Sequence, residues 1–412
     1  MEEHEYGKML PGLLSGDNLI DELQIMPEYD DSVRNLSTAE RLVKLSELYK
    51  VYIPSAMSVE IYNKLYLAAL LSLNKKETKL SVIQQNSNYA YMQGNEYRGI
   101  IGGADSFTII GKSGIGKSSA IERAVHLISG GRIIENQKPY AKIIPCLTVQ
   151  CPFDCSSKGM LLEILRVVDM TIDTKYYERS QRAGVTTDVL IGTVAQVAIN
   201  HIGLLIIDEI QHVAGHKSGR MLMGMLTQLI NTSGISICMV GTPECIPFFE
   251  KAMQLARRSV GLRYTEHPCD DYFRNFCSIA YGYQYVRNKS EISEIVIDWL
   301  YEHSVGIISV VVSLIHDAQE LSIFSGREVL DMDSLNEAYL KRLSLLHGYT
   351  GTSKKTEKHT GLNKRVVLPG IKKKDVSDEC LSISDMVRHS KDLGEDIVAV
   401  MKKHITVTEI KV

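Results

Sequence analysis

The spacing of apolar residues predicts alternating strands and helices through the middle of the chain. Uninterrupted apolar runs predict buried strands in the segments SFTII, KIIPCLTV, GLLIIDE and ISICMVGTPE, with RYTEHP as a candidate fifth strand. Between them, apolar residues recur at helical spacing over 117–129, 187–200 and 219–234. Strands that are apolar throughout are typical of a parallel sheet covered on both faces. The pattern therefore predicts an α/β fold with a parallel sheet between helices.

The segments on either side of this core have other patterns. Ser37 or Thr38 is placed to cap a helix whose leucines share one face, and 58–73 predicts a second helix. Residues 86–106 are rich in Gly, Asn and Tyr, which predicts a hairpin or loop. After about residue 285 the strand pattern stops and helical spacing takes over, which predicts a small, separate helical domain.

The chain has a formal net charge of −3, so its composition as a whole does not indicate a basic nucleic-acid binder. Any such role requires a local basic patch. Residues 1–33 contain nine acidic residues and one lysine, whereas residues 354–374 contain eight Lys or Arg and one acidic residue. The sequence has no positively charged apolar leader and no apolar run of membrane-spanning length. We therefore expect a cytoplasmic protein with no membrane partner.

Composition and periodicity together predict five regions. They are an acidic flexible arm, an N-terminal helical or hairpin extension, an αβα domain, a small helical domain, and a basic linker with a C-terminal tail. Their predicted ranges are 1–37, 38–105, 106–285, 286–348 and 349–412.

One segment has the chemistry of a phosphate-binding loop. The sequence GKSGIGKS at 111–118 matches G-x-x-x-x-G-K-[ST] at every fixed position, between an apolar strand and an amphipathic helix. Its glycines allow successive backbone N–H groups to surround phosphate oxygens, and the helix N-terminus favours the same anion. Lys117 is expected to reach the β- and γ-phosphates, and the Ser118 hydroxyl to ligate Mg²⁺. The predicted ATP-binding residues are Gly111, Ser113, Gly114, Ile115, Gly116, Lys117, Ser118 and Ser119.

The segment LLIIDEIQH supplies the acidic half of the predicted site. Asp208 and Glu209 follow four aliphatic residues, at the carboxyl end of a strand, where ligands bind in parallel α/β sheets. We expect Asp208 to hold Mg²⁺ together with Ser118, and Glu209 to polarise an attacking water. Thr242, at the end of the next strand, is placed to hydrogen-bond the γ-phosphate or that water. This combination favours hydrolysis of ATP over transfer of phosphate to another substrate.

Two arginines come after the next predicted helix. Arg257 and Arg258 precede Gly261, from where a guanidinium could reach the γ-phosphate of a neighbouring subunit and stabilise transition-state charge. Their spacing is equally compatible with surface arginines at the end of a helix.

The order and spacing of these motifs resemble an AAA+ ATPase. The succession IDEIQH, VGTPE, ARR and the helical HSVGIISVVVSLIHDAQELS resembles in particular the TnsC/TniB-type regulators of bacterial DNA transposition, over about 40–347. The resemblance implies an AAA+ core with a helical lid, which binds ATP and Mg²⁺ and assembles as a homo-oligomeric ring or filament on duplex DNA. Transposase subunits and a target-selection protein are the further partners implied. Carried over, Lys117, Ser118, Asp208, Glu209 and Thr242 keep their roles, and Arg257 or Arg258 becomes the inter-subunit finger.

The sequence departs from the AAA+ pattern at one position. Many AAA+ proteins have an arginine three residues after a glycine in the lid, where it contacts the γ-phosphate; here Ser309 follows Gly306. We therefore expect slow hydrolysis and weak coupling between the nucleotide and the lid.

Candidate DNA contacts are less specific. The segment DTKYYERSQRAG combines Lys175, Arg179 and Arg182 with two tyrosines in a polar insertion, where sequence-independent phosphate contact and a solvated helix end are equally compatible with the pattern. The basic residues of 354–374 are a second candidate for DNA or a transposase.

Three rival functions predict other features. An AAA+ replication initiator or helicase loader predicts a winged-helix domain after the lid, for which the tail leaves little room. A signalling switch ATPase without DNA binding predicts a large sensor or repeat domain. A small-molecule kinase predicts a phosphorylated product instead of free phosphate.

Overall fold

The computed structural model describes residues 5–92, 106–137, 140–181, 185–251 and 261–343. The N-terminal part is helical, with α1 Glu5–Lys8, α2 Gly16–Leu23, α3 Thr38–Leu45, α4 Ala56–Lys76 and α5 Lys79–Met92. Single 3₁₀ turns at Asp31–Asn35 and Ser46–Lys50 flank α3.

Of the two candidate caps, Ser37 is the N-cap of α3, which begins at Thr38. The Ser37 hydroxyl accepts the Glu40 backbone N–H, and the Glu40 carboxylate accepts the Ser37 N–H at 3.0 Å, so two otherwise unpaired amide donors are satisfied reciprocally.

The central part alternates strands and helices as predicted. Its elements are β1 Phe107–Gly111, α6 Lys117–Ser129, β2 Ile134–Gln137, β3 Tyr140–Gln150, α7 Ser157–Ile172, α8 Tyr176–Ser180, α9 Thr187–His201, β4 Ile202–Asp208, α10 His212–Gly215, α11 Gly219–Ser233, β5 Ser236–Gly241, α12 Ile246–Lys251 and β6 Leu262–Tyr264. The candidate strand in RYTEHP is thus β6. Helices α7 and α8 and the antiparallel strand β2 were not predicted.

The strands form one six-stranded sheet in the order β2-β3-β4-β5-β1-β6, parallel except for β2. Helices cover both faces, and residues of β4 alternate between the two cores. Leu204 and Ile206 pack with α4 and α6, whereas Leu205 and Ile207 pack with α7, α9 and α11; all four are fully buried. The predicted α/β fold with a parallel sheet between helices is confirmed. Coverage of both faces explains why the strands are apolar throughout.

The prediction of a hairpin or loop from residue 86 is wrong for residues 86–92, which belong to α5. This helix buries polar residues, because Ser81, Gln84 and Asn88 lie on its inner face. The Gln84 amide donates to Asn88 Oδ1 at 2.9 Å, and Asn88 Nδ2 donates to the Thr232 carbonyl at 3.0 Å. Leu80, Ile83 and Tyr89 are exposed, so the helical pattern of apolar burial is absent.

The described part of the acidic segment 1–37 is packed against the core rather than extended as an arm. Leu19 and Leu23 of α2 are buried among α4 and α6 residues. Arg123 of α6 donates to the Leu23 carbonyl at 2.9 Å and to the Glu22 carbonyl at 2.6 Å, at the C-terminus of α2. The acidic residues account for the polar composition of the segment, while its few buried leucines pack it against α4 and α6.

The lid contains α13 Asp271–Gly282, α14 Glu294–Ser304, α15 Ile308–Ser325 and α16 Met332–Arg342. It shares one hydrophobic core with part of the N-terminal extension, including Leu45, Leu48, Val51 and Ile53. The extension and the lid are far apart in sequence and were predicted as separate regions, but their apolar residues pack in this one core.

No single helix in the described ranges is long and apolar enough to cross a membrane. The consecutive lid helices α14 and α15 pass that test of length and composition only together, with a bend of 118° between them.

Candidate functional site

The predicted site residues meet where parallel strands end. β1, β4 and β5 are neighbours in the sheet, so the segments that follow them converge at one edge. A cleft of about 340 Å³ lies there, within the size range of ligand sites. Among the described residues, every predicted site residue except Gly111 and the DNA candidates lines this cleft. The lining residues are Ser113, Gly114, Ile115, Gly116, Lys117, Ser118, Ser119, Asp208, Glu209 and Thr242.

The phosphate loop turns sharply between β1 and α6. Gly114 and Gly116 have φ values of +81° and +98°, a left-handed conformation that favours glycine. Gly116 is the N-cap of α6, and α6 begins at Lys117. The loop therefore presents backbone N–H groups and a helix N-terminus to the cleft, which is the arrangement that binds phosphate.

Lys117 is buried at the base of the loop, with 8% of its surface exposed. Its Nζ donates to the carbonyls of Gly111 at 2.6 Å and Lys112 at 2.8 Å. Burial lowers the pKa of the Lys117 ammonium, and the nearby carboxylates, first Asp208 and then Glu209, oppose that shift. The lysine thus lies among two acidic groups and the loop backbone, where it can contact an anionic ligand.

Ser118 and Asp208 come together from different elements. Ser118 Oγ lies 3.4 Å from Asp208 Oδ2. The other carboxylate oxygen, Oδ1, accepts the Glu209 backbone N–H at 2.8 Å, which fixes the orientation of the carboxylate. A hydroxyl beside a carboxylate oxygen matches the ligands that Mg²⁺ prefers, so these two residues fit the predicted metal.

Glu209 occupies a strained turn. Its φ is +59°, a left-handed conformation that is uncommon for a residue other than glycine and recurs at functional sites. The side-chain amide of Gln211 donates a hydrogen bond to Glu209 Oε2. Glu209 therefore lines the cleft with one carboxylate oxygen already hydrogen-bonded.

Thr242 directly follows β5 and lines the cleft beside Gly241. Its carbonyl accepts the Cys245 backbone N–H at 3.2 Å, which closes the 3₁₀ turn Pro243–Cys245. A hydrogen bond from the Thr242 side chain lowers the pKa of the exposed Glu244 carboxyl, with a smaller contribution from Lys117. Glu244 thus shares the Thr242 hydroxyl that we expected to serve a phosphate or a water.

The walls of the cleft come from outside the α/β core. One wall is N-terminal and includes Tyr49, Val51, Ile53 and Met57, whereas another comes from the lid and includes Val312 of α15. Tyr272 of α13 donates from its hydroxyl to the Ile53 carbonyl at 3.1 Å and so joins the two walls. These apolar residues form a pocket next to the loop, suited to a flat base rather than to phosphates.

The lid also contacts the phosphate loop directly. The Ser309 backbone N–H, at the start of α15, donates to the Gly114 carbonyl at 3.1 Å. A Cβ atom at Gly114 would lie 2.2 Å from Ser309 Oγ, so the contact leaves no room for a side chain in the loop. The ring of His267 reaches the Ile115 carbonyl at 3.3 Å. The lid and the loop are therefore joined by a main-chain hydrogen bond at the position where serine replaces the expected arginine.

Two of the three DNA candidates are described. Lys175 and Arg179 are exposed beside and within the short helix α8. The Asp169 carboxylate accepts the backbone N–H groups of Tyr176 and Tyr177 at 2.9 and 2.7 Å, and both rings pack against the core. The cations thus lie on a firmly held surface, and the tyrosines are engaged in packing.

Several predicted residues lie outside the described residues. They are Arg182, Arg257 and Arg258 and the whole region 349–412.

Sequence reasoning missed some residues of the cleft. Gln211 was visible two positions after Glu209, but its polarity alone indicated no contact. The wall that includes Tyr49 and Met57 carries no motif of its own. Only the folded structure shows that these segments lie next to the phosphate loop.

Residues 102–266 match the family model described as bacterial TniB protein. The matched segment contains the phosphate loop, Asp208, Glu209 and Thr242, and over these residues the resemblance to TniB-type proteins is confirmed. No curated protein matches the sequence.

Among solved structures, the chain is similar to the ORC1 protein of Aeropyrum pernix in complex with DNA, with 12% identity and a TM-score of 0.43. That similarity covers 64% of this chain and 65% of the Aeropyrum chain, just under two thirds of its length. The chain is also similar to Drosophila ORC bound to DNA, with 10% identity and a TM-score of 0.43, covering 81% of this chain and 70% of that one.

Proposed function

We propose that the chain is an ATP-dependent regulator of DNA transposition. It assembles as a homo-oligomeric ring or filament on target duplex DNA and recruits or activates a transposase, while slow ATP hydrolysis controls assembly and disassembly. The observation that carries this proposal is the cleft in which Lys117, Ser118 and Asp208 meet, within a segment that matches the TniB family model.

Each residue of the cleft has a task in this proposal. The loop N–H groups and Lys117 bind the triphosphate, and the apolar wall with Val51, Ile53 and Met57 receives the base. Ser118 and Asp208 hold Mg²⁺, which neutralises phosphate charge when bound. Glu209 accepts the proton of the attacking water, and the Thr242 hydroxyl contacts the γ-phosphate or that water.

Assembly supplies what one chain lacks. Arg257 or Arg258 reaches the γ-phosphate of a neighbouring subunit, so hydrolysis depends on the oligomer. Lys175, Arg179 and Arg182 contact DNA phosphates without reading sequence. The tail 349–412 is the proposed binding segment for the transposase, and a target-selection protein directs where the assembly forms.

Electron microscopy with duplex DNA and a non-hydrolysable ATP analogue tests the assembly. We expect rings or filaments on DNA that disappear without nucleotide and with Lys117→Met. Monomers on all grids would overturn the proposal, and oligomers that form equally well without DNA would favour a signalling switch. Assemblies that load a helicase but leave a transposase unstimulated would favour a replication initiator.

A mixing experiment tests the arginine finger. Subunits with Arg257→Ala or Arg258→Ala are mixed with Glu209→Gln subunits, each inactive alone. A shared site restores part of the hydrolysis in the mixture, because some interfaces then combine an intact finger with an intact Glu209. Absence of any restoration would assign both arginines to the surface.

A further inference from the structure

Helix α5 has its polar and apolar faces reversed relative to an ordinary surface helix, whose apolar stripe faces the core. Ser81, Gln84 and Asn88 are buried, with at most 1% of their surface exposed. Four apolar side chains of the same helix are exposed instead: Leu80 at 48%, Val82 at 57%, Ile83 at 48% and Tyr89 at 61%. None of the four belongs to a hydrophobic core of the described residues. Apolar side chains grouped on an exposed surface mark an interaction site.

The polar face fixes the orientation of α5. The Gln84 amide donates to Asn88 Oδ1 at 2.9 Å, and Asn88 Nδ2 donates to the carbonyl of Thr232, itself only 2% exposed, at 3.0 Å. Rotation of the helix that buried its apolar face would break these bonds and leave a buried carbonyl without its donor, which is costly. The apolar face therefore stays outward until another molecule covers it.

The outward face of α5 is symmetrical about one residue. Successive residues of a helix are about 100° apart, which places the outward positions opposite the buried ones. The outward residues are Val82, Ile83, Asn86, Tyr89 and Ala90. Asn86 is exposed and lies in the middle, three residues after Ile83 and three residues before Tyr89. Two copies of this face, placed antiparallel, are therefore complementary to each other.

The charge on α5 also suits pairing with an identical helix. Lys79 is the only charged residue of α5 and lies at its first position. DNA needs several cations, and a strongly charged protein partner needs a surface of opposite charge, so this face matches neither. In an antiparallel pair centred on Asn86, the two Lys79 residues lie about 21 Å apart along the axis, well beyond a screening length of about 8 Å. A second copy therefore fits without a charge conflict.

We propose that the outward face of α5 docks a second copy of this chain, helix against helix, across a twofold axis at Asn86. Ile83 of one copy faces the partner's Tyr89, and Tyr89 faces the partner's Ile83 in return. The two Asn86 side chains meet at the axis, where each amide supplies both a donor and an acceptor. The inference goes beyond the proposed function, because α5 lies outside the segment that matches the family model and the pairing requires neither nucleotide nor DNA.

Charged substitutions at the two facing positions test the contact. Sedimentation velocity of the full chain, without nucleotide or DNA, should show a monomer–dimer equilibrium between about 1 and 100 μM, as expected for an interface smaller than about 800 Å² per partner. Ile83→Glu and Tyr89→Lys should each weaken dimerisation at least about tenfold, because either places an unpaired charge in the apolar contact. Both positions are exposed, so helical circular dichroism should be retained; if Ile83→Glu loses it, Ile83→Ser takes its place.

Recombining the two substitutions tests the antiparallel register. The double variant Ile83→Glu/Tyr89→Lys should dimerise within about threefold of the original affinity, since both contacts then join opposite charges. An equimolar mixture of the two single variants should also dimerise, because the mixed dimer has one contact of opposite charges and one original contact. Residues 83 and 89 are six positions apart and do not face each other on one helix, so this recovery cannot arise within one chain.

Val43→Glu is the matched control. Val43 is an apolar residue of α3 with 72% of its surface exposed, and dimerisation of this variant should equal that of the original chain. A general effect of added negative charge would instead weaken the control as much as Ile83→Glu.

Several outcomes overturn the proposal. A monomer at all concentrations means that the chain itself or another protein covers α5. Dimers that both single variants leave intact use a different surface, and single variants that neither the double variant nor the mixture restores exclude the antiparallel register. Dimers that form only with ATP and disappear with Lys117→Met belong to the assembly of the proposed function. Failure of that function gives a different result, since no ring or filament would then form on DNA with ATP, whatever the state of the α5 pair.

Discussion

Two charged centres of the molecule differ in what their charged groups are paired with. In the cleft beside the phosphate loop, Lys117 donates to two backbone carbonyls, and Asp208 and Glu209 line an open cavity. Between the N-terminal extension and the lid, Arg41 is fully buried and forms a bidentate pair with Glu328, with both N···O distances 2.6 Å. The first centre keeps charge available for a ligand, whereas the second uses it to join two segments.

The paired centre is also held by backbone groups. Arg41 donates to the Tyr285 carbonyl at 2.9 Å, and Glu328 accepts the Arg287 N–H at 3.2 Å. The hydrogen bonds from Arg41 lower the pKa of the Glu328 carboxyl, against the effect of burial. This pair lies beside the core shared by α3 and the lid, and residues 49–57, which line the cleft, follow directly. The comparison predicts that substitutions in the cleft impair ATP binding or hydrolysis with little effect on stability. Substitutions in the Arg41–Glu328 pair should mainly lower the free energy of unfolding.

The largest effect is expected from Lys117→Met. The variant keeps the aliphatic stem and removes the ammonium, so ATP affinity should fall at least about 1000-fold with the loss of several charge-assisted hydrogen bonds. The free energy of unfolding, measured with urea, should change by less than about 1 kcal/mol, because the cost of burying the charge disappears together with its hydrogen bonds. Lys112→Met is the control, since Lys112 is in the same loop but pairs with Glu266 at 3.0 Å. Unaltered ATP affinity in Lys117→Met would remove this lysine from the site.

Next in size is Glu209→Gln. Loss of the proton acceptor should lower kcat by about 100- to 1000-fold, while ATP binding persists and assemblies on DNA become long-lived. Release of phosphate and the lifetime of the assemblies are the measurements. Glu244→Gln tests an acid of similar charge next to Thr242 and should have a far smaller effect on kcat. Normal turnover by Glu209→Gln would contradict the assignment.

Third is Arg41→Met in the paired centre. Breaking a buried ion pair leaves Glu328 without its main partner, which should cost about 3 kcal/mol, a factor of roughly 100 in the folded-to-unfolded ratio. Urea unfolding measures this cost, and hydrolysis per folded molecule should change little. The double variant Arg41→Met/Glu328→Leu should recover much of the loss, because no unpaired charge remains. A single variant as stable as the original would show that the pair contributes nothing.

The smallest effect concerns pH and His201, at the end of α9. Burial lowers the pKa of His201, the Lys76 ammonium adds to this, and the hydrogen bond with the Lys142 carbonyl, 2.8 Å long, opposes it. Below the unfolded pKa of about 6.5 the unfolded chain takes up a proton that the folded chain does not yet bind. Stability therefore decreases as the pH is lowered, until the lower pKa of the folded chain is reached. In His201→Gln the dependence of unfolding free energy on pH between 7 and 5 should be weaker. Equal slopes in both proteins would exclude His201 as a source.

Much of the fold was predictable because it depends on local pattern. The parallel strands and the helices α6, α9 and α11 follow from apolar spacing, and the start of α3 follows from its capping residues. The prediction for residues 86–92 was wrong because α5 buries Gln84 and Asn88, which bond to each other and to the Thr232 carbonyl. When the buried face of a helix consists of polar side chains that are hydrogen-bonded, the sequence shows no periodic apolar pattern there.

By itself, the sequence determined the phosphate loop, the acidic residues at the end of β4 and the sheet that positions them. Neighbouring residues suffice for this, since loop conformation and strand burial depend on short stretches of chain. Only the tertiary structure decided that residues 49–57 and the start of α15 complete the cleft, that Arg41 meets Glu328, and that Gln211 binds Glu209. Those contacts depend on packing between distant segments or on the rotation of one side chain, and neither leaves a pattern in the order of residues.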